Sequence, residues 1–299
     1  MPEKEIVFHA PGLKRFKTSE YLGQDVTRFA SISVTGTDCA LACEHCKTQV
    51  LEGMRALPRF DGSLFDLCSE LAERGARGVL VSGGCDRHGR VPLLRHIPDL
   101  IRVRRELDFT IRVHPGLPDE ETAAALAEVD IDGAMVDIIG ADETIHEVYH
   151  LKATTADYEA ALERLERYGI PAVPHIILGL HFGQLRGEWA ALEMIARHAR
   201  KFLVLVILMP FTGTPMVNAL PPPVAEIARF FALARQTLPD TRVLLGCARP
   251  FGAMKAEVDR AAVDAGLNGI AYPAEGIIAY ARERGFTPRF VDACCGVQW

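Results

Sequence analysis

The sequence predicts an α/β fold, namely a (β/α) barrel of the TIM type in a single domain, either full or partly open. Short apolar segments typical of buried strands alternate with amphipathic helical segments along the 299 residues, and the connections between them are short. Strands separated by helices in this way run parallel and are joined by right-handed crossovers. Eight such strands would close a barrel, whereas six or seven would leave it partly open.

The predicted strands are short and rich in apolar or β-branched residues. Residues 29–34 alternate between two faces, whereas GVLVS at 78–82 is continuously apolar, as in strands that are buried on both sides. The complete set comprises residues 29–34, 78–82, 109–114, 133–138, 172–178, 202–209, 242–246 and 269–271.

The predicted helices carry apolar residues at helical spacing. In residues 63–74 the apolar stripe includes Cys68, which we interpret as a small buried apolar residue. The other helices are expected at residues 93–106, 119–127, 142–149, 157–168, 189–200, 221–238, 256–265 and 275–284.

The two ends of the chain are predicted to lie outside this alternation. Residues 1–28 form an N-terminal segment with a short helix at 13–21, and residues 29–285 form the barrel. Residues 286–299 form a C-terminal tail that carries two adjacent cysteines.

Composition and charge exclude several classes of function. The formal net charge of −6, without a run of Lys or Arg, provides no basic surface for nucleic acid. The longest apolar run, residues 202–211, has about half the length of a membrane span. Because the first residues also lack the apolar core of a signal peptide, we expect a cytoplasmic protein. Eight cysteines in that compartment favour metal or redox chemistry over disulfides.

Three cysteines follow the first predicted strand at C-x3-C-x2-C spacing: Cys39, Cys43 and Cys46. Soft thiolates suit iron–sulfur clusters, and three of them would leave one iron of a cube open for another ligand. The alternative is a structural zinc site, which requires a fourth Cys or His. His45 lies inside the loop, but its position between the cysteines makes a tetrahedral set difficult.

Polar residues near the ends of three strands are candidate site residues, because active sites of such barrels lie at the C-terminal ends of strands. Strand parity turns Arg112 and His114 inward, either towards a site or as a satisfied interior pair. Asp137 ends an apolar strand and requires a partner, which could be ligand hydroxyls, an arginine or a helix N-terminus. His175 is either a site residue or a core histidine bonded to backbone.

The seventh predicted strand is followed by Cys247 and Arg249, which share one parity and are both expected to face the cavity. A buried arginine requires an anionic partner, such as a thiolate-bound cluster or a ligand carboxylate.

Four cysteines remain: Cys85, Cys247, Cys294 and Cys295. Four thiols could bind an auxiliary iron–sulfur cluster if the C-terminal tail folds over the mouth of the barrel. In the alternative reading, Cys294 and Cys295 form a redox pair and Cys85 is incidental.

The cysteine loop, the Ser82-Gly83-Gly84 turn, PFTGTP at 210–215 and GCARP at 246–250 together resemble the biotin-synthase-like branch of the radical S-adenosylmethionine (SAM) superfamily. The resemblance covers nearly the whole chain. It is strongest to biotin synthase homologues that include components of two-protein lipoyl synthases. The segments that carry this closer resemblance are SVTGTDCALACEHC, VSGGCDRHGRVPLL, VPHIILGLHFG and the terminal Cys-Cys.

The resemblance implies a role for each matching residue. Cys39, Cys43 and Cys46 would bind a [4Fe–4S] cluster whose open iron binds SAM. The implied SAM contacts are Ser82, Gly83 and Gly84 for the amino group, Asp137 for the ribose, and Gly179 and Leu180 for the adenine. Arg249 falls near the arginine that ligates the second cluster of biotin synthase.

Three departures from biotin synthase favour a sibling with a differently built sulfur-donor site. Cys85 replaces the usual glutamate after the double glycine. The second-cluster cysteines of biotin synthase do not match one for one, and that enzyme lacks a terminal Cys-Cys.

The implied activity is reductive cleavage of SAM to a 5′-deoxyadenosyl radical, followed by sulfur insertion into an unactivated C–H bond. The lipoyl-synthase resemblance implies an octanoyl chain on a carrier protein as substrate and a second radical SAM protein as partner, with ferredoxin or flavodoxin as reductant. The alternatives are a radical SAM mutase, lyase or methyltransferase, and a non-catalytic iron–sulfur protein.

Overall fold

A computed structural model of the chain describes residues 4–297. Its strands form one sheet in which every neighbouring pair is parallel. The strands are β1 (Lys4–His9), β2 (Phe29–Ser33), β3 (Arg55–Ala56), β4 (Gly78–Ser82), β5 (Thr110–Val113), β6 (Gly133–Asp137), β7 (Ala172–Leu178), β8 (Phe202–Ile207), β9 (Arg242–Leu245), β10 (Gly269–Ala271) and β11 (Phe286–Val291).

The sheet curves into a partly open barrel, which confirms the predicted fold class. Its strand order is β11-β1-β10-β9-β8-β7-β6-β5-β4-β2-β3, so within residues 4–297 the two edge strands, β11 and β3, remain unpaired with each other. The buried apolar side chains of the central strands belong to one continuous hydrophobic core. This is expected for parallel strands that are covered on both faces.

Helices cover the outside of the sheet between successive strands. They are α1 (Leu64–Glu73), α2 (Ile97–Glu106), α3 (Glu120–Val129), α4 (Asp142–Tyr149), α5 (Thr155–Arg167), α6 (Glu188–Ala196), α7 (Val224–Thr237), α8 (Ala253–Asp264) and α9 (Ile277–Glu283). The longest of them, α7, has 14 residues, and none of the described helices has the length and apolarity needed to cross a bilayer.

Helix α1 illustrates how local sequence determines these elements. Ser63 caps it, because the hydroxyl accepts a hydrogen bond from the Asp66 N–H while the Asp66 carboxylate accepts from the Ser63 N–H. Cys68 is fully buried on the predicted stripe, and burial raises the pKa of its thiol to about 12. Its interpretation as a buried apolar residue is therefore confirmed.

The chain ends differ from the prediction, because both contribute strands to the sheet. Strand β1 lies between β10 and β11 and pairs in parallel with both, over the registers Val7↔Gly269 and Lys4↔Phe286. Residues 4–9 and 286–291 therefore belong to the barrel wall. These pairings join positions more than 250 residues apart, which a local pattern cannot reveal.

The predicted helix at residues 13–21 does not form. This stretch contains turns, bends and irregular backbone instead. Gln24 holds it in place: its amide nitrogen donates to the carbonyls of Ala10, Pro11 and Lys14, and its amide oxygen accepts from the Phe16 N–H. These bonds satisfy backbone groups that a helix would otherwise have paired.

The tail after β11 enters the barrel instead of covering its mouth. Ala293, Cys294, Cys295 and Val297 are all buried, and the Gly296 backbone packs against the ring of Phe202 at the first position of β8. The expectation of a tail folded over the mouth is therefore wrong. The small and apolar side chains of residues 293–297 suit the barrel interior.

The N-terminal segment holds the turn at Asp292, where the C-terminal tail enters the barrel. The Tyr21 hydroxyl donates to Asp292 at 2.5 Å, and the Asp25 N–H donates to the same carboxylate at 3.2 Å. The buried ring of His9 bonds the Ala293 carbonyl, and burial lowers the pKa of His9 to about 4. Both chain ends thus build one structural unit.

Arg249 does not face the cavity, which corrects the prediction from strand parity. Its guanidinium forms a bidentate ion pair with the buried Asp259, with Nε–Oδ1 at 2.6 Å and Nη2–Oδ2 at 3.1 Å. It also donates to the carbonyls of Gly246, Ala271 and Tyr272. Because β9 ends at Leu245, strand alternation no longer applies at position 249. Its anionic partner is a carboxylate of α8, so the contacts of Arg249 in this structure are structural, and the catalytic or cluster-ligating role stays a prediction.

The substitution Asp259→Asn should lower the free energy of unfolding by about 3–5 kcal/mol, since it leaves a buried arginine without a counter-charge. Urea denaturation measures the change. The matched control is Glu106→Gln on the exposed Arg102 pair, for which a loss below about 1 kcal/mol is expected. Equal losses in the two variants would contradict a structural ion pair at Arg249.

Candidate active site

One cavity of about 470 Å³ opens at the C-terminal ends of the strands and contains two separate groups of cysteines. Cys39, Cys43, Cys46 and Cys85 line it beside β2 and β4. Cys247, Cys294 and Cys295 line it beside β9 and the tail. The sheet order places the five strands β4 to β8 between β2 and β9, so the groups lie on different sides of the barrel.

The cysteine loop brings three donor atoms close together, without that of Cys39. Those of Cys43, His45 and Cys46 all lie within 4.8 Å of one another. A hydrogen bond from Cys43, supported by His45, lowers the pKa of the Cys46 thiol to about 4. His45 is closer to the two cysteines than expected, so a zinc-like Cys2His set is within geometric reach. Its ring also packs on Tyr149, with the ring centroids 5.3 Å apart.

The glycine turn after β4 is bonded directly to the cysteine loop. The Gly84 N–H donates to the Thr35 hydroxyl at 2.7 Å, and the Cys85 N–H donates to the Cys39 sulfur at 3.3 Å. A Cβ on Gly84 would lie 1.9 Å from the Asp38 carbonyl oxygen and 2.5 Å from the Cys39 Cβ. Glycine is therefore required at position 84 for the loop to approach the turn.

The predicted SAM-binding turn also faces the cavity. Ser82, Gly83 and Gly84 all line it, and the Ser82 hydroxyl donates to the His114 carbonyl at 3.2 Å. A Cβ on Gly83 would be 3.1 Å from the Thr35 hydroxyl oxygen, so this backbone is also tightly packed.

His114, Asp137 and His175 form a polar group on the cavity wall formed by β5, β6 and β7. Nε2 of His114 lies 3.7 Å from Oδ1 of Asp137, and the two imidazole rings are 6.2 Å apart. Although burial opposes ionisation of Asp137, the neighbouring imidazoles hold its pKa below the ordinary value. The structure therefore brings together three residues that the sequence had suggested one at a time.

His175 presents a defined tautomer to this group. Its Nδ1 lies 2.9 Å from the Val173 carbonyl and so carries the proton, which leaves Nε2 as an acceptor. Burial lowers the pKa of His175 to about 4. The nearby Asp137 carboxylate raises this pKa and so offsets part of the effect of burial. His175 combines both readings from the sequence, since it is bonded to backbone and also lines the cavity.

Gly179 and Leu180, the expected adenine contacts, lie beyond the cavity wall, where Ile177 is the lining residue. Gly179 has φ +80°, and a Cβ there would lie 2.4 Å from Pro222 Cδ. Its N–H donates to the buried Glu188 carboxylate at 2.9 Å, and burial raises the pKa of Glu188. This packing accounts for the glycine, and the adenine contact stays a prediction.

The three cysteines beside β9 form a group that excludes Cys85. The thiols of Cys294 and Cys295 interact electrostatically with Cys247, whereas Cys85 interacts with Cys39, Cys46 and Asp137. Burial raises the pKa of the thiols of Cys247, Cys294 and Cys295. The predicted four-cysteine set is therefore split by the geometry, with Cys85 beside the catalytic loop.

Several lining residues were missed by sequence reasoning. Tyr149 lines the cavity with its hydroxyl buried and unpartnered, and Lys14 stands near Tyr272, with Nζ 4.5 Å from the ring centroid. Tyr149 ends a predicted helix, and its local sequence carries no distinguishing signal. Lys14 lies in an irregular segment whose position depends on tertiary contacts.

The sequence matches the Radical SAM superfamily over residues 33–204, which is more than half of the chain. The chain belongs to the radical SAM superfamily. The matched region begins in β2, contains the cysteine loop and the glycine turn, and ends within β8. It therefore covers the first cysteine group but not the second.

Curated relatives include biotin synthases. That of Syntrophotalea carbinolica is 27% identical over 235 residues, covering 75% of this chain and 69% of the relative. That of Burkholderia pseudomallei is 24% identical over 258 residues, covering 83% and 74%. The low identities are consistent with a biotin-synthase-like branch of the superfamily.

Solved structures share the fold. Methylornithine synthase (PylB) aligns with a TM-score of 0.58 at 14% identity, covering 89% of this chain and 85% of that one. The FeFe-hydrogenase maturase HydG from Carboxydothermus hydrogenoformans aligns with a TM-score of 0.63 at 17% identity, covering 97% and 69%.

The residues of the loop fit the [4Fe–4S] cluster and SAM that the family implies. Three soft thiol donors line one cavity, and the glycine turn beside them presents backbone without side chains. Membership of the superfamily also decides between the two readings of the loop, in favour of the cluster over a structural zinc ion.

Gly84→Ala should abolish iron loading of the catalytic loop, because the added Cβ displaces the Asp38–Cys39 backbone. Overpacking of this kind also costs about 1–3 kcal/mol of stability. Iron content and visible absorbance after anaerobic reconstitution measure the effect. Gly53→Ala is the control, since its Cβ would lie 3.7 Å from the Leu13 carbonyl, an ordinary contact. Full iron loading in Gly84→Ala would refute the packing constraint.

The buried, neutral state of His175 predicts a pH dependence of stability. Its pKa is about 4 in the folded protein and about 6.5 in an unfolded chain, so the unfolded state binds more protons between these values. This contribution to stability is complete above about pH 6.5 and is lost as the pH falls towards 4, by at most about 3 kcal/mol.

Urea denaturation of the metal-free protein between pH 4 and 7 tests this dependence. His175→Gln should have a shallower pH dependence than the parent protein. His114→Gln is the comparison variant, because it removes a partly exposed imidazole from the same wall of the cavity. An unchanged slope in His175→Gln would show that the imidazole is already protonated in the folded state.

Proposed function

We propose that this radical SAM enzyme inserts sulfur into an unactivated C–H bond, with an auxiliary iron–sulfur cluster as the sulfur source. The observation that carries the proposal is the second group of thiols, Cys247, Cys294 and Cys295, which lines the same cavity as the catalytic loop. A substrate held in this cavity would lie between the two groups. The similarity to biotin synthases supports sulfur chemistry, which the resemblance described above implies.

The walls between the two groups suit an alkyl chain. They are formed mainly by apolar side chains of successive strands and the loops that follow them: Met135, Ile177, Val204, Val206, Leu208, Met209 and Phe211. An unactivated aliphatic substrate requires such a wall, because burial of CH2 groups provides its main binding energy. The apolar lining also excludes water from a reactive site.

We assign the roles of the chain's residues accordingly. Cys39, Cys43 and Cys46 would hold the catalytic cluster, and Cys247, Cys294 and Cys295 would hold the auxiliary cluster with one iron site left open. When bound, the first supplies an electron for reductive cleavage of SAM and the second supplies sulfur. Asp137, with its lowered pKa, is ionised at neutral pH and can accept hydrogen bonds from ligand hydroxyls.

The substrate we propose is an octanoyl chain on a carrier protein, as for lipoyl synthases, because of the terminal Cys-Cys and the motifs that resemble that group. A second radical SAM protein would then act as partner in the cytoplasm. Ferredoxin or flavodoxin would supply the electron that a radical SAM enzyme requires.

Iron counting tests the auxiliary site. The reconstituted parent should hold about eight irons per chain, and Cys294→Ala/Cys295→Ala about four. Cys68→Ala is the control for loss of a buried cysteine outside both groups. About four irons in the parent, unchanged in the double variant, would refute an auxiliary cluster of four irons.

Mass measurement tests the reaction itself. Incubation with SAM, reductant and an octanoylated carrier peptide should yield 5′-deoxyadenosine, methionine and a peptide heavier by sulfur, alone or with a partner radical SAM protein. The double variant Cys294→Ala/Cys295→Ala should still form 5′-deoxyadenosine but add no sulfur. Deoxyadenosine without sulfur gain in the parent would favour a mutase, lyase or methyltransferase, and the absence of deoxyadenosine would favour a non-catalytic iron–sulfur protein.

A further inference from the structure

Among residues 4–297, two arginines are almost completely buried in the barrel, and one of them is neutralised by a carboxylate of this part of the chain. Arg249, 2% exposed, is paired with Asp259 in the geometry described above. Arg112, 5% exposed, lies in β5 on the inner face of the barrel. Within residues 4–297, Arg112 has no carboxylate at ion-pair distance. The nearest acidic influence, Asp132, is already bonded to Arg104 and to the Ile111 N–H.

The hydrogen bonds of Arg112 are also incomplete. Nη2 donates to the Gly296 carbonyl at 2.8 Å, which is a neutral acceptor in the tail. Nε is buried without a partner. The guanidinium carbon lies 6.0 Å from the centroid of the Phe202 ring. An isolated buried cation of this kind is costly unless an anion compensates it.

The backbone around Arg112 nevertheless leaves room for its side chain. A Cβ on Gly133 would lie 1.9 Å from Nη1 of Arg112, so the neighbouring strand β6 begins with a glycine where the guanidinium passes. Gly296, with φ +82°, allows the tail to turn beside it. The position is therefore built for an arginine, although no carboxylate of residues 4–297 lies at ion-pair distance from it.

After Asp132, Cys294 is the second group that interacts electrostatically with this guanidinium. Arg112 and Cys294 each stabilise the charged form of the other. Cys294 lies two residues before the Gly296 carbonyl that Arg112 binds, and it belongs to the three-cysteine group with Cys247 and Cys295. The uncompensated cation therefore lies directly beside the proposed auxiliary site.

We propose that Arg112 is a positioning residue that seats the C-terminal tail through Gly296 and provides the counter-charge for an anionic metal–thiolate group bound by Cys247, Cys294 and Cys295. This inference rests on the proposed function, because it assumes an auxiliary cluster. Three thiolate ligands bring three negative charges into the barrel, and one buried guanidinium offsets part of them. Since net charge and nearby hydrogen-bond donors set the reduction potential of iron–sulfur clusters, Arg112 raises the potential of this one.

The test measures the reduction potential of the auxiliary cluster in isolation. The background is Cys39→Ala/Cys43→Ala/Cys46→Ala, reconstituted with iron and sulfide and titrated redox-potentiometrically by electron paramagnetic resonance. Arg112→Gln should shift the midpoint to a more negative potential, and Arg112→Lys, which retains the charge, should shift it less. The control Arg102→Gln removes an exposed arginine that pairs with Glu106 and should leave the midpoint unchanged.

Each outcome distinguishes the two proposals. A background protein that assembles no cluster refutes the auxiliary site and with it the role of Arg112. A cluster whose potential is the same in Arg112→Gln and the parent refutes the counter-charge alone. If Arg112→Gln loses the cluster, its retention in Arg112→Lys supports the counter-charge, and its loss from both variants overturns it.

Thermal unfolding of the metal-free proteins provides a second readout. Arg112→Gln should be at least as stable as the parent, because it removes an uncompensated buried charge along with one hydrogen bond. A large destabilisation of metal-free Arg112→Gln would show that the arginine merely holds the fold together and would overturn the proposal.

Discussion

The close contact between the glycine turn and the cysteine loop is the constraint on which the catalytic half of the structure depends. The loops after β2 and β4 are held together by three bonds: Gly84 to Thr35, Cys85 to Cys39, and Ala40 to the Cys85 carbonyl. They can approach only because position 84 lacks a Cβ. The resemblance assigned these glycines to SAM, and the structure adds that Gly84 also shapes the loop that carries the cluster ligands. One backbone contact thus couples the cysteine loop to the glycine turn, the expected sites of the cluster and of SAM.

The other half of the cavity depends on the two chain ends. The N-terminal segment holds Asp292 through Tyr21 and Asp25, and this turn directs the tail into the barrel. Inside, the tail meets Arg112 and brings Cys294 and Cys295 beside Cys247. The catalytic cysteines belong to a local motif within the family's matched region, whereas the second group is assembled from a strand end and a tail outside it. This arrangement is consistent with a shared first step and a reaction that differs between family members.

The buried charges show how similar residues acquire different roles. Arg249 and Arg112 both lie in the barrel, and strand parity suggested a cavity position for both. A carboxylate from α8 neutralises Arg249 and makes it a structural residue, because the chain has left the strand before position 249. Arg112 remains inside the strand and has no carboxylate of residues 4–297 at ion-pair distance, which is the basis of the counter-charge proposed above. In the same way, burial keeps His175 neutral against the influence of Asp137, whereas the neighbouring imidazoles keep Asp137 ionised against its burial.

The sequence by itself determined the alternation of strands and helices, the parallel barrel and the three cysteines of the catalytic loop, because all of these are local patterns. The eight predicted strands are all present, with ends that differ by a few residues. Tertiary structure alone decided the strands β1 and β11, the entry of the tail into the barrel, the separation of Cys85 from the other three cysteines, and the partner of Arg249. Each of these depends on pairing or packing between residues of different elements. Local periodicity and cysteine spacing carry no information about such contacts. The same reason applies to Gly179, whose positive φ and close contact with Pro222 only the tertiary structure shows.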